Sequence, residues 1–122
     1  MRKLFIIVTA LIFAQRAWSG DYDDGWIAYE LNDYNTAFTK FRSAARQGHA
    51  RAEFYLGVMY QNGKGVTQDY KEAVRWYTLA AKKGEDRAQN NLGNMYRNGQ
   101  GLAKDFVRAH MWYNIASAVG GD

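Results

Sequence analysis

Residues 50–84 read ARAEFYLGVMYQNGKGVTQDYKEAVRWYTLAAKKG, and residues 86–120 read DRAQNNLGNMYRNGQGLAKDFVRAHMWYNIASAVG. A shift of 36 residues lays one on the other: Ala52, Leu56, Gly57, Met59 and Tyr60 meet Ala88, Leu92, Gly93, Met95 and Tyr96. The register holds through Gly63-x-Gly65 and Asp69 onto Gly99-x-Gly101 and Asp105. It continues through Ala73, Trp76, Tyr77, Ala80 and Gly84 onto Ala109, Trp112, Tyr113, Ala116 and Gly120. A fixed period of this size marks a repeat array, in which each unit hides its apolar face only by stacking on a neighbour. The expected fold is therefore all-α, a solenoid of helical hairpins.

Working outward, the same shift carries Asp33, Tyr34, Ala37, Phe41, Ala44, Ala45 and Gly48 onto Asp69, Tyr70, Ala73, Tyr77, Ala80, Ala81 and Gly84. The preceding residues give Trp26, Ile27, Tyr29 and Leu31 on a short helix that begins after Asp23-Asp24-Gly25. The segment Leu31 to Asp33 leaves no room for a Gly-x-Gly loop. The first unit reads as a hairpin with a clipped loop, making three hairpins and six helices. Boundaries follow at 1–19 for a leader, 20–48 for the degenerate first hairpin, and 49–84 and 85–120 for the two full repeats.

Local chemistry supports each helix. Ala52, Tyr55, Leu56, Met59 and Tyr60 recur at helical spacing as one apolar face, and Gly57 beside it lets the partner helix approach closely. Asp69 caps the next helix, with Glu72 placed to complete a capping box. Ala73, Trp76, Tyr77, Ala80 and Ala81 form its apolar face. Lys82 and Lys83 suit the negative end of the helix dipole, ahead of a left-handed stop at Gly84. The glycines of Gly63-Lys64-Gly65 and Gly99-Gln100-Gly101 supply positive φ in the turn. A phosphate loop would need a following Gly-Lys-Ser/Thr and a preceding strand, which these lack.

The 122 residues have a folded-protein composition, 48% hydrophobic and 23% charged. The first nineteen differ. Met1-Arg2-Lys3 is basic, Leu4 to Ala14 is apolar, and Ala17-Trp18-Ser19 has small residues where a signal peptidase reads, so cleavage after Ser19 is expected. That apolar run rises about 16 Å as a helix, short of a hydrocarbon core of about 30 Å. The expected location is periplasmic or secreted, the alternative an inner-membrane anchor by an uncleaved signal. Losing Arg2, Lys3 and Arg16 leaves 13 basic against 12 acidic residues, a net charge of +1. The basic balance of the whole chain thus gives no reason to expect nucleic acid, or membrane binding after cleavage. With no cysteine, the exported domain must rest on its packed core.

The series Ala52…Leu56-Gly57…Met59-Tyr60…Gly63-x-Gly65-Val66…Asp69…Ala73…Trp76-Tyr77…Ala80-Ala81…Gly84 resembles the Sel-one-like repeat, a relative of the tetratricopeptide repeat. The period of 36 and the Gly-x-Gly loop distinguish it from the plain 34-residue tetratricopeptide unit. Resemblance covers about residues 21–120. It implies a right-handed superhelix, an adaptor or scaffold role, and, with the leader, a bacterial exported protein. Some cysteine-rich relatives are β-lactam-binding or β-lactam-hydrolysing, but this chain lacks their paired cysteines.

Catalytic signatures are missing. His49 lies in a linker and His110 stands alone on the last helix. There is no His-Glu-x-x-His, Ser-x-x-Lys or Gly-x-Ser-x-Gly. No enzyme activity, metal or cofactor is expected. Two stripes suggest contacts instead. Arg87, Asn90, Asn94 and Arg97, with counterparts Arg51, Phe54, Val58 and Gln61, lie opposite the apolar face. By resemblance to tetratricopeptide units this is the concave surface, where Asn and Arg bind a peptide backbone or carboxylate. A solvated face would also be polar, whereas Phe54 and Val58 favour contact. On the last helix, Val107, Met111, Ile115 and Ala118 replace Lys71, Arg75, Leu79 and Lys82. Either this stripe self-associates, chiefly through Met111 and Ile115, or the array lacks its capping helix. The expected function is a scaffold binding a protein or peptide partner. The alternatives are a hydrolase of the β-lactam-active branch and a secreted regulatory or effector subunit.

Overall fold

The computed structural model describes residues 20–120; the expected leader, 1–19, lies outside the described residues. Among the described residues there are six helices and no strand. Residues 20–30 are helical (α1), followed by α2 (Tyr34–Arg46), α3 (Ala50–Asn62), α4 (Tyr70–Lys82), α5 (Asp86–Asn98) and α6 (Phe106–Gly120). They pair as α1/α2, α3/α4 and α5/α6. Each junction between hairpins is a further helix contact, α2 on α3 and α4 on α5, while α3 and α5 also touch. The result is the expected all-α solenoid.

Helix ends follow the caps in the sequence. Asp69 accepts from the backbone N–H of Lys71 and Glu72 at 3.0 and 3.2 Å. The capping box is only half made: Tyr60 O accepts the Asp69 N–H at 2.9 Å, and Glu72 pairs with Arg75 instead. The Tyr96–Asp105 junction repeats that backbone bond at 2.9 Å. Gly63 and Gly99 end α3 and α5 at φ 66° and 67°. The second glycine of each loop has a further task. A Cβ on Gly101 would lie 2.5 Å from Tyr70 O, and one on Gly65 would strike Tyr34 O. Each Gly-x-Gly loop therefore seats its backbone on the start of the preceding unit's second helix.

The hairpins close on the helical glycines. A Cβ on Gly57 would stand 2.5 Å from the ring of the fully buried Tyr77, and one on Gly93 would stand 2.7 Å from Tyr113. Gly25 has the same relation to Phe41, at 2.8 Å. This corrects the expected start of the first helix, because Asp23, Asp24 and Gly25 lie inside α1. Since Phe41 aligns with Tyr77, Gly25 is the counterpart of Gly57, and α1 runs in register with α3 at a shift of 32. The clipped turn absorbs the difference. Asn32, at φ 61°, reverses the chain there, and Asp33 N–H reaches Ala28 O at 2.8 Å.

Two clusters form the core, one at each junction. In the first, Phe41 and Ala44 of α2 meet Leu56 and Met59 of α3; in the second, Tyr77 and Ala80 of α4 meet Leu92 and Met95 of α5. Each buried side chain of this size is worth about 1.5–3 kcal/mol. Trp76 is buried in the first cluster, and Trp112 packs half-buried against the second.

Candidate functional site

The first helices of the hairpins, α1, α3 and α5, present their N-terminal halves together, and an open cleft of about 590 Å³ lies across them. Its lining is Tyr22 and Trp26 from α1, Arg51 and Tyr55 from α3, and Glu85, Asp86 and Arg87 at the start of α5. A second depression shares Tyr22, Arg51 and Glu85 and continues past the Gly48-His49 and Gly84-Glu85 corners.

The aromatic floor is held by its own contacts. Tyr55 stacks on Phe41 with ring centroids 5.1 Å apart. Trp26 leans on Tyr55 at 5.4 Å and on Tyr29 at 6.3 Å, yet remains 39% exposed. Tyr22 stacks on His49 at 4.3 Å. Burial raises the Tyr22 phenol above its ordinary pKa, so it stays a neutral donor. Burial, helped by the charge of Arg51, lowers His49 below the ordinary imidazole value. Neutral His49 suits its position, since its Nδ1 accepts the Ala52 N–H at 3.3 Å and caps α3.

Arg87 ties the units together. Its guanidinium donates to Glu85 Oε1 at 2.7 Å and to Tyr55 Oη at 3.3 Å, and it lies 4.6 Å from the Phe54 ring centroid. An arginine held by a carboxylate and two rings is fixed in direction at small entropic cost on binding. The cleft thus combines fixed aromatic faces with charges of both signs. Among the described residues no group of three or more His, Cys, Asp or Glu is placed to hold a metal.

The eight residues expected to form one binding stripe separate. Arg51 and Arg87 reach the cleft. Asn90 is exposed and Val58 half-buried. Phe54 is 7% exposed and belongs to the junction core with Tyr77 and Leu92, so its apolar character reflects packing rather than a contact surface. Gln61 accepts from Tyr77 Oη at 2.6 Å, and Asn94 accepts from Tyr113 Oη, so both amides serve their own hairpins. Arg97 lies at the far end, against Phe106. On α6, Val107, Met111, Ile115 and Ala118 are all exposed. The cleft also takes Tyr22, Trp26 and Tyr55, which the expected stripe does not include. Tyr55 carried a signal: its counterpart at the 36-residue shift is Asn91, which marks a position the repeated core does not need.

The model of the Sel1 repeat matches residues 12–49, 50–85 and 86–120. The chain belongs to the Sel1 repeat family. The first Sel1 match begins inside the stretch read as a leader. Among solved structures, the chain is similar to a protective antigen of uropathogenic Escherichia coli strains with an SLR fold. There the TM-score is 0.81 and the identity 35%, over 88% of this chain and 24% of that one. A Sel1 repeat protein from Oxalobacter formigenes gives a TM-score of 0.70 and 36% identity over 71% of this chain and 25% of that one. The chain thus spans about a quarter of the length of either. Helicobacter pylori cysteine rich protein B shares the fold, with a TM-score of 0.68 at 21% identity over 84% of this chain and 88% of that one. No curated protein matches the chain.

Proposed function

We propose that this chain is a non-enzymatic interaction module that holds an extended segment of a protein partner across the cleft of α1, α3 and α5. Sel1 repeat proteins are in general protein-interaction scaffolds. One observation carries the reading further: aromatic and arginine side chains from all three units converge on a single open cleft, with Trp26, Tyr55 and Arg87 held by their own neighbours. Tryptophan, tyrosine and arginine dominate binding energy at protein interfaces because they offer large contact area and directional donors. Trp26 is the anchor, Arg51 the donor to a backbone carbonyl or carboxylate, and Glu85 and Asp86 favour a basic residue nearby.

Peptides selected from a random display library against the chain provide the test. Trp26→Ala is expected to weaken a selected peptide by about 2 kcal/mol, roughly thirtyfold, with Arg51→Ala costing less and Val107→Asp nothing. Selected peptides indifferent to Trp26→Ala would remove the cleft from the reading.

The same proposal places the chain outside the cytoplasm, supported by the basic start, apolar run and Ala17-Trp18-Ser19 site. The mass of the protein recovered from the cell envelope is expected to correspond to a start at Gly20. A chain retaining Met1 would instead be the anchored form.

A further inference from the structure

The near-neutral balance of residues 20–122 averages over charges that stand apart. Residues 20–34 carry Asp21, Asp23, Asp24, Glu30 and Asp33 with no lysine or arginine. α4 is the reverse, with Lys71, Arg75 and Lys82 against Glu72. Among the described residues Lys71 and Lys82 make no ion pair, and Arg75 has one, with Glu72 at 3.2 Å. Arg42 of α2 adds to this basic side, since it and Arg75 both lie close enough to Tyr60 to act on its phenol. The carboxylates nearby are engaged. Asp69 caps α4, Glu72 holds Arg75 and Asp105 caps α6.

Lys71, Arg75, Leu79 and Lys82 follow one another along α4 at helical spacing, and all four are exposed although α5 is packed on that helix. A hairpin stacked on a second helix thus leaves this side open. At the 36-residue shift the same side of α6 carries Val107, Met111, Ile115 and Ala118, also exposed, with Val107 at 81% and Met111 at 44%. Trp112 of α6 packs against the core formed by α4 and α5, so the two second helices lie side by side. A basic stripe and an apolar stripe form one outer surface.

We propose that this outer surface of α4 and α6 docks on a lipid bilayer carrying anionic headgroups. Val107, Met111 and Ile115 enter the boundary between headgroups and acyl chains, while Lys71, Arg75 and Lys82 pair with the headgroup charges. Charge decides the occupant. Exposed apolar side chains flanked by uncommitted cations call for an anionic surface, and a second copy offers no free carboxylate on this side. None of these residues lines the clefts described above, and a bilayer needs no recess to seat in. No helix among the described residues is long and apolar enough to cross a membrane, so the contact is with its surface. The cleft of α1, α3 and α5 belongs to the first helices and stays open to its partner.

Co-sedimentation with vesicles of phosphatidylcholine containing phosphatidylglycerol tests this, with pure phosphatidylcholine as the reference. Binding is expected to rise with phosphatidylglycerol content and to fall as salt screens the lysines. Lys71→Gln with Lys82→Gln is expected to weaken it roughly twenty-five-fold, about fivefold for each cation. Residues 1–19 are common to both chains, so only the difference between them counts. A second readout does not depend on that variant. The chain has no cysteine, so Val107→Cys or Asp24→Cys takes a single environment-sensitive dye. Vesicles with phosphatidylglycerol are expected to shift the dye at 107 to the blue and to leave the dye at 24 unmoved. The proposal is overturned if binding ignores phosphatidylglycerol, if the lysine variant binds like the wild type, or if the dye at 107 does not respond. A blue shift at 107 that grows with protein concentration without lipid would overturn it in favour of a second copy. A shift on soluble polyglutamate but not on vesicles would overturn it in favour of an acidic protein.

Discussion

Glu53 is 1% exposed and ion-paired with Lys83, which also donates to Gly48 O at 3.1 Å. The pair joins α3 to the end of α4, so Lys83 does more than oppose a helix dipole. Removing one partner of a buried pair typically costs about 3–5 kcal/mol. Lys83 is 42% exposed and water screens it, so Lys83→Met is expected to lose about 2 kcal/mol in urea unfolding. The third unit shows how the loss can be offset. Gln89 occupies the position of Glu53, equally buried, and donates to Ala81 O at 3.1 Å without any lysine. Adding Glu53→Gln to Lys83→Met is therefore expected to recover more than half of the lost stability. A double variant no more stable than the single one would show that the ion pair is not the source. Gly57 is a second sensitive residue at this scale. Gly57→Ala puts a methyl into the ring of Tyr77, which is fully buried and has nowhere to go, and is expected to cost about 1–3 kcal/mol by the same unfolding assay.

At the scale of the element, α3 starts on an unusual cap. His49 accepts the Ala52 N–H only while its Nδ1 is unprotonated, and burial with Arg51 nearby lowers its pKa below the ordinary value. A histidine depressed in the folded state is protonated first in the unfolded chain as pH falls. Its contribution is then complete above the ordinary pKa of about 6.5 and is lost as pH drops through the lower folded value. His49→Asp keeps a capping oxygen that stays ionised across this range. Between about pH 7.5 and about pH 5.5 the wild type is expected to lose about 1 kcal/mol more than His49→Asp. Equal losses in thermal melts would take His49 out of the cap's energetics. The elements themselves were largely legible, because two copies at one shift expose caps, glycines and apolar faces together. Where the shift broke, legibility broke with it. The clipped turn moves α1 to a shift of 32, so the 36-residue register does not place Gly25 opposite Phe41 or Trp26 beside Tyr55. The expected stripe separates for another reason: spacing places Gln61 and Asn94 on a helix surface but does not reveal that Tyr77 and Tyr113 hydrogen-bond to them.

For the whole molecule, stability follows position along the array, because each unit is held by its neighbours rather than by one central core. α3 packs on α2, α4 and α5, whereas the packing of α6 is with α5. α6 also leaves Val107 81% exposed along with Phe106 and Met111. Regions with few buried apolar contacts open locally at free energies well below the global value. Native-state hydrogen exchange should therefore rank α6 amides fastest among the last four helices, with α3 and α4 exchanging only near global unfolding. That ordering bears on the cleft. The cleft sits on α1, α3 and the start of α5, so the partner segment proposed for it would meet side chains already fixed and bind with little change in exchange beyond the contacts themselves. Slow exchange in α6, equal to that of α3, would mean that the array folds as one cooperative block.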